Sequence, residues 1–316
     1  MVNSIKDKIE LVRSVQGEQQ RLVGLSMGLT LFTPIPFIDT AKLFNTVFQH
    51  YQSMVPKDVF KWQNLGGTND SYKKITTAAF RTISSWLNQD DNYNGTCSIW
   101  LKDGGFSTDV GEYLFNIYGK DVASSKYDSC YVRLYFPYDI MDVMGSDVFI
   151  DEINKLMENL PFYSGYLGYT LNLSNLMTVA PYSRAIDKHI FAVTHRFQGV
   201  EIFKPHLENY EMKKYLRSPA WVTFLSKQSI EKLGGIEQIR LKIKGEFSFR
   251  KLQHGWGIQS GSQPLLGDRN HQQVIAPEQR EFARLLIPFY SPNPAFLFSK
   301  REHEDSIAWI RRLTDL

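Results

Sequence analysis

The sequence has few of the features that mark secreted or membrane-bound proteins. It contains only 2 cysteines among 316 residues, which is too few for the disulfide framework of a small secreted domain. Its first ten residues carry scattered charges where a secretory signal has an apolar run of about 7–15 residues. The longest apolar stretches are broken by glycine and proline and fall short of the ~20 residues of a membrane span. We therefore expect a cytoplasmic protein in which Cys97 and Cys130 are reduced thiols.

Motifs for catalysis and for ligand binding are also missing. There is no Gly-x-Ser-x-Gly motif for a nucleophile and no His or Cys pair at the spacing of a metal site. The glycines at 255, 257 and 261 lack the spacing of a dinucleotide loop, and no helix follows them directly. His189 and His195 lie six residues apart in a predicted strand, too distant for shared ligation. The sequence thus predicts no enzyme, no metal, no cofactor and no small-molecule ligand.

Acidic and basic residues are segregated along the chain. The formal net charge is only +3, but residues 89–158 contain thirteen acidic side chains against five basic ones, a net charge of −8. Residues 188–316 contain twenty Lys or Arg against thirteen Asp or Glu, a net charge of +7. A bipolar surface steers oppositely charged partners to one face. Two hypotheses stay open: the folded protein has two charged faces, or folding mixes the segments and their fields cancel.

Hydrophobic periodicity predicts an α+β fold with antiparallel sheets and helices packed on one side. Strand patterns occupy residues 21–32, 96–101, 112–118, 129–136, 163–173, 221–225, 241–244 and 247–258. One helical pattern begins after Pro36. Others extend over residues 71–87, 146–160, 227–234 and 277–287. No repeat of 20–50 residues is present. We predict one domain over residues 1–316 or two packed, similar halves with a boundary near residues 175–215.

Several segments of the sequence resemble a known bacterial family. They are residues 131–137 (YVRLYFP), 218–225 (SPAWVTFL), 231–235 (EKLGG), 257–261 (GIQSG) and 264–270 (PLLGDRN). In these segments the chain resembles the type VI secretion immunity family for VRR-NUC nuclease effectors, formerly a domain of unknown function. The motifs are structural, and Ser260 stands where alanine is expected. Their marker residues are Trp221, Gly257, Gly261, Gly267 and Asp268.

This resemblance implies an antidote. Such a protein would bind a cognate VRR-NUC DNA endonuclease in the cytoplasm and block DNA cleavage, without a cofactor and without a membrane. The charge segregation adds a mechanism, because a DNA nuclease presents a basic groove that an acidic face can occupy in place of the phosphate backbone.

The partner-binding residues are predicted within the acidic segment, at the turn and helix start after Pro137. They are Tyr135, Tyr138, Asp139, Asp142, Asp147 and Asp151. The aspartates would supply charge and the tyrosines would be aromatic anchors. Asp147 is equally well placed to stabilise the first turn of its helix.

Two alternatives to this surface remain. The loop at residues 266–270 is a second candidate interface, although Asp268 is also suited to hold that turn through its own backbone. A nucleic-acid-binding module that uses the basic second half is the alternative from another functional class.

Overall fold

The computed structural model describes residues 5–15, 17–34, 37–65, 72–76, 96–120, 129–158, 160–178, 182–271, 277–295, 297–298 and 303–314. In this part of the chain, eleven strands form one antiparallel sheet in the order β10-β11-β9-β8-β2-β7-β6-β5-β3-β4, with β1 paired to β2. The strands are β1 (Leu11–Val15), β2 (Glu18–Thr33), β3 (Trp62–Leu65), β4 (Lys73–Lys74), β5 (Thr96–Lys102), β6 (Leu114–Lys120), β7 (Cys130–Pro137), β8 (Ser164–Leu173), β9 (Val222–Ser226), β10 (Phe247–Leu252) and β11 (Gly255–Ser260).

Helices surround this sheet, and the predicted α+β class with an antiparallel sheet is confirmed. None of the described helices is both long enough and apolar enough to cross a membrane. The helices are α1 (Ile5–Ile9), α2 (Phe37–Met54), α3 (Ile140–Met144), α4 (Ser146–Glu158), α5 (Tyr182–Arg196), α6 (Pro205–Glu208), α7 (Lys227–Lys232), α8 (Ile236–Lys242), α9 (Pro277–Leu286) and α10 (His303–Ile310).

Strand β2 lies in the middle of the sheet and is buried on both faces. Every residue from Leu22 to Thr33 is buried, which explains why its sequence is a continuous apolar run without alternation. Gly28 is the point of closest approach. A Cβ atom at this position would lie 2.3 Å from Thr170 of β8 and 2.8 Å from the ring of Tyr135 of β7. Tyr135 of β7 and Thr170 of β8 therefore pack over Gly28, in the space that a side chain there would occupy.

The helices cover different faces at the two ends of the sheet. Phe48 of α2 and Phe149 of α4 pack in one core with Leu29 and Phe224. The next residue of β9, Leu225, packs in a second core with α7, α8 and α9. Because successive strand residues point to opposite faces, these three helices lie on the face opposite to α2 and α4. Packing on one side, as predicted, describes α2, α3 and α4, which share the first core, but not α7, α8 and α9.

Three of the predicted elements differ from the structure. Residues 241–244, predicted as a strand, belong to the end of α8 and the turn after it; Ile239 and Ile243 are buried four residues apart, whereas Leu241 is 75% exposed. A run of four residues is too short to separate a period of 2 from one of 3.6. The strand predicted for His189 and His195 is helix α5. The helix predicted over residues 71–87 is contradicted at its start, where β4 forms, and its remainder lies outside the described residues from 77 onward.

The predicted boundary near residues 175–215 falls between β8 and β9. These two strands pair directly, with Ser164 opposite Leu225 and Leu167 opposite Val222. The sheet is therefore continuous across this boundary. The division into two similar halves stays a prediction.

A buried cluster of charges connects the segment after α5 to the C-terminal residues. Glu201, Glu208, Arg217 and Arg312 are each at most 7% exposed. The Arg217 guanidinium lies 3.2 Å from the Glu201 carboxylate and also contacts Glu208, while Arg312 contacts the other oxygen of Glu201. Arg312 also donates from Nε to the Gln198 carbonyl at 2.7 Å. Two acids and two bases thus neutralise one another inside the protein.

The backbone at Glu201 also extends the sheet. Its N–H donates to the Tyr169 carbonyl at 2.7 Å, and its carbonyl accepts from the Leu171 N–H at 2.9 Å. Burial raises the pKa of Glu208 and lowers the pKa of Arg312, and in each case an oppositely charged neighbour opposes the shift. The attraction between these charges compensates the free-energy cost of removing them from water only while all four are present.

We expect Arg217→Met to lower the free energy of unfolding by about 3–5 kcal/mol, because the two carboxylates stay buried after their partner is removed. The double variant Arg217→Met/Glu208→Leu should recover part of this loss, since it removes a buried charge together with its partner. Urea unfolding followed by circular dichroism measures both. A loss below about 1 kcal/mol for the single variant would mean that the cluster contributes no more than a surface ion pair.

Candidate partner-binding surface

Helices α3 and α4 meet at a glycine and form a corner after β7. Gly145 has a φ of +83°, a left-handed conformation that favours glycine. Its N–H donates to the Met141 carbonyl at 2.9 Å, and its carbonyl accepts from the Phe149 N–H at 3.0 Å. Phe149 and Ile153 are fully buried beneath α4. The hydrophobic core thus holds this corner in place.

Four predicted aspartates, Asp139, Asp142, Asp147 and Asp151, lie here and define what we call the acidic corner. Asp139 is partly exposed and the other three are exposed. Within the described part of the chain, none of the four carboxylates forms a hydrogen bond or an ion pair. Asp147 lies in the first turn of α4, where its charge also stabilises the helix. The negative charge of the acidic corner is therefore directed to solvent.

Two exposed valines lie among these aspartates. Val143 is 79% exposed and Val148 is 52% exposed, and each directly follows one of the aspartates in sequence. Single exposed apolar residues are common, whereas exposed apolar surface rimmed by polar residues marks interaction sites. The sequence analysis missed both. Val148 could have been found, because it falls outside the apolar stripe of Phe149 and Ile153.

The two predicted tyrosine anchors differ in accessibility. Tyr135 is 1% exposed, so its prediction as a surface anchor is wrong. Its side chain lies against Gly28 on the buried sheet, where both sets of alternating residues are covered, and its carbonyl accepts from the Tyr51 hydroxyl at 2.5 Å. Tyr138 is partly exposed, with the Lys6 ammonium 5.7 Å from the centre of its ring. Of these two tyrosines, Tyr138 is the one that a partner could contact.

Two further tyrosines lie beside the acidic corner and were not predicted. Burial is the main cause of the raised pKa of Tyr113 and Tyr169, and the negative charge of Asp139 adds to the shift of both. Both side chains are partly exposed. They come from the start of β6 and from β8, far from Tyr138 in sequence. Only the pairing of the strands brings them together, so no local pattern reveals them.

Three of the motif residues support the β9–β11 region from inside. Trp221 is 2% exposed and donates from its indole N–H to the Gly261 carbonyl at 3.2 Å. Gly257 pairs with Phe224, and a Cβ atom on Gly257 would lie 3.1 Å from that ring. Gly261 has a φ of +74°. Their role in the structure is packing and turn formation.

The loop at residues 266–270, the alternative interface, is held by the remaining motif residues. Gly267 has a φ of +66°. The carboxylate of Asp268 accepts two hydrogen bonds of 2.8 Å from Arg196 and one of 3.1 Å from the Asn270 N–H, which is an Asx turn. The hydrogen bonds from Arg196 hold the pKa of Asp268 below its usual value. Because Asp268 is 1% exposed, its carboxylate serves the fold.

The histidines that raised the question of a metal site are engaged elsewhere. His189 donates from Nε2 to the Ile9 carbonyl at 2.7 Å. The ring of His195 packs on Phe191, with 3.8 Å between the ring centres. In the residues that the structure describes, no group of three or more His, Cys, Asp or Glu side chains is placed to hold a metal ion.

Comparison with known proteins identifies the family. Residues 43–313 match the TsiV family, described as type VI immunity for VRR-NUC. Among solved structures, a type VI secretion system protein of Pseudomonas aeruginosa has the same fold, with a TM-score of 0.78 and 20% identity, over 97% of this chain and 87% of that chain. The search of curated proteins gives no match. Because the family model spans most of its length, this chain belongs to the family of type VI immunity proteins for VRR-NUC.

Proposed function

We propose that this protein binds a cognate VRR-NUC effector through the acidic corner and thereby prevents cleavage of DNA. Its family supports this class of partner. The observation that carries the proposal is the set of exposed carboxylates at Asp142, Asp147 and Asp151, which form no hydrogen bond or close ion pair with the described residues and which lie next to Val143 and Val148 in sequence. Inhibition of this kind requires binding alone, so the protein is not an enzyme and acts in the cytoplasm, where the DNA is.

The geometry of α4 suits competition with a phosphate backbone. Asp147 and Asp151 are four residues apart and therefore share one face of the helix. A DNA-binding groove holds phosphates with Lys and Arg side chains. Carboxylates on this face of α4 are attracted to the same cations. Because α4 packs on the hydrophobic core, it loses little conformational entropy when the partner binds.

Charged and apolar side chains have different parts in this model. Complementary charges accelerate association and orient the two proteins, and salt weakens both effects. Val143 and Val148 would help to exclude water from the contact between the charged side chains. Tyr138 at the edge is placed to add an aromatic contact.

We expect the triple variant Asp142→Ala/Asp147→Ala/Asp151→Ala to weaken binding of the effector encoded beside this protein by about tenfold or more at low salt. The reason is the loss of three exposed negative charges from the surface that faces the groove. The measurement is the Kd of the purified pair, together with cleavage of plasmid DNA by the effector at increasing inhibitor concentration. The difference from the unaltered protein should shrink at high salt.

A matched control removes three exposed carboxylates from other surfaces: Glu18→Ala/Glu231→Ala/Glu304→Ala. Both triple variants change the net charge equally, so a general effect of charge would weaken binding in both. If the two variants bind the effector with the same affinity, the acidic corner is not the docking surface. If the unaltered protein neither binds the effector nor stops cleavage, the proposed function itself is wrong.

For the valines, we expect Val143→Arg/Val148→Arg to weaken binding by more than about tenfold, because two cations then face a basic groove. Stability should change by less than about 0.5 kcal/mol for each exposed site. Leu265→Arg is the control, since Leu265 is 44% exposed on another surface. Equal affinities for the double variant and the control would remove the valines from the interface.

A further inference from the structure

The hairpin of β10 and β11 ends the sheet and leaves one edge of β10 without a described strand beside it. In an antiparallel pair, alternate residues direct their N–H and C=O groups toward the neighbouring strand. The N–H of Gly261 donates to the Glu246 carbonyl at 2.8 Å, which shows that the even-numbered residues here face β11. The backbone groups of Phe249 and Lys251 therefore point away from the sheet, where a further strand could pair with them.

Four cations lie in β10 and in the segment just before it, where Glu246 is the exposed acidic residue. Arg250 and Lys251 of β10 are exposed, and so are Lys242 at the end of α8 and Lys244 just after it. No described residue forms an ion pair with any of these four. Lysines on an edge strand oppose pairing with a second copy of the same edge, because like charges would meet. The same charges favour a strand that carries acidic side chains.

Apolar surface accompanies the cations. Phe249 and Trp256 are partly exposed, and the Arg240 guanidinium lies 4.9 Å and 5.7 Å from their ring centres. Leu241, on the adjacent helix, is 75% exposed. Arg and Trp are among the residue types that contribute most to protein interfaces, and exposed apolar surface rimmed by polar residues marks interaction sites. A strand beside β10 would find both charge partners and apolar contacts here.

This edge adjoins the helix that carries the acidic corner. Helix α4 contacts β10, and the negative charge of Glu158 at the end of α4 acts on His254 in the hairpin turn. Thirteen residues of α-helix span about 20 Å. A partner that buries a standard interface of roughly 800 Å² per protein is wide enough to cover both.

We propose that β10 accepts an extended acidic segment of the bound effector as an additional strand, next to the acidic corner. Main-chain hydrogen bonds to residues 249 and 251 would give affinity, and the cations would select acidic side chains, as in other cases of strand addition. This inference rests on the proposed function, because it assigns a second contact to the same partner.

The test is the pair of variants Lys251→Pro and Lys251→Ala, each measured for Kd against the effector. Proline removes the N–H that points away from β11 and is tolerated on an edge strand, so the hairpin should persist. Alanine removes the charge but keeps the N–H. We expect Lys251→Pro to raise Kd about tenfold or more, and Lys251→Ala to raise it less.

A second variant, Lys242→Glu/Lys244→Glu, tests the same contact without depending on whether the proline variant folds. Neither of its lysines lies in a strand. It should also raise Kd. In the wild-type complex, hydrogen exchange at the amides of Phe249 and Lys251 should slow relative to the free protein.

Unchanged exchange at both amides and unchanged affinity in the three variants would overturn the strand addition while leaving the proposed function intact, provided that the wild-type protein binds and inhibits. If the wild-type protein does not bind the effector, both proposals fail.

Discussion

The buried cluster around Glu201 is the constraint on which the C-terminal half depends. Its backbone continues the sheet beside β8, and its side chain joins Arg217, just before β9, to Arg312, near the end of the chain. Strands β9, β10 and β11 come after Arg217 in the chain and continue the sheet beyond β8. The cluster also answers part of the charge question. Arg217, Arg312 and Lys204 are buried, but so are Glu201, Glu208 and Asp268 of the same segment. Burial among the described residues therefore removes as many acids as bases and leaves the net charge of the basic segment unchanged, while three aspartates of the acidic corner are exposed.

Elements were predictable wherever one pattern extended over several turns or a whole strand. Helix α4 has thirteen residues with its apolar stripe on the core, and it begins at the residue that the sequence indicated. Strand β2 was recognised from its continuous apolar run. The prediction failed at Leu241, where four alternating residues fit a strand although Ile239 and Ile243 are buried with helical spacing. Short segments take their structure from tertiary packing, which the local sequence does not contain.

For the candidate site, the sequence was a good guide to charge and a poor guide to burial. Aspartates without a partner have to be solvated, so a run of them after a strand marks a surface. Tyrosine has no such restriction, and Tyr135 is buried because β7 is covered on both faces. Tyr113 and Tyr169 are more than fifty residues apart in sequence, and strand pairing brings both beside the acidic corner. No period or motif encodes a neighbourhood of that kind.

The adjacent surfaces of opposite sign have a consequence for specificity. Under the two proposals, a partner presents cations to the acidic corner and, about 20 Å further along α4, an acidic segment to β10. A partner that docks in the reverse orientation brings like charges together at both ends, which costs affinity without any steric clash. A basic DNA-binding groove alone satisfies only the first condition. Two contacts of opposite sign would therefore let an immunity protein distinguish its own effector from other nucleases that share the same basic groove.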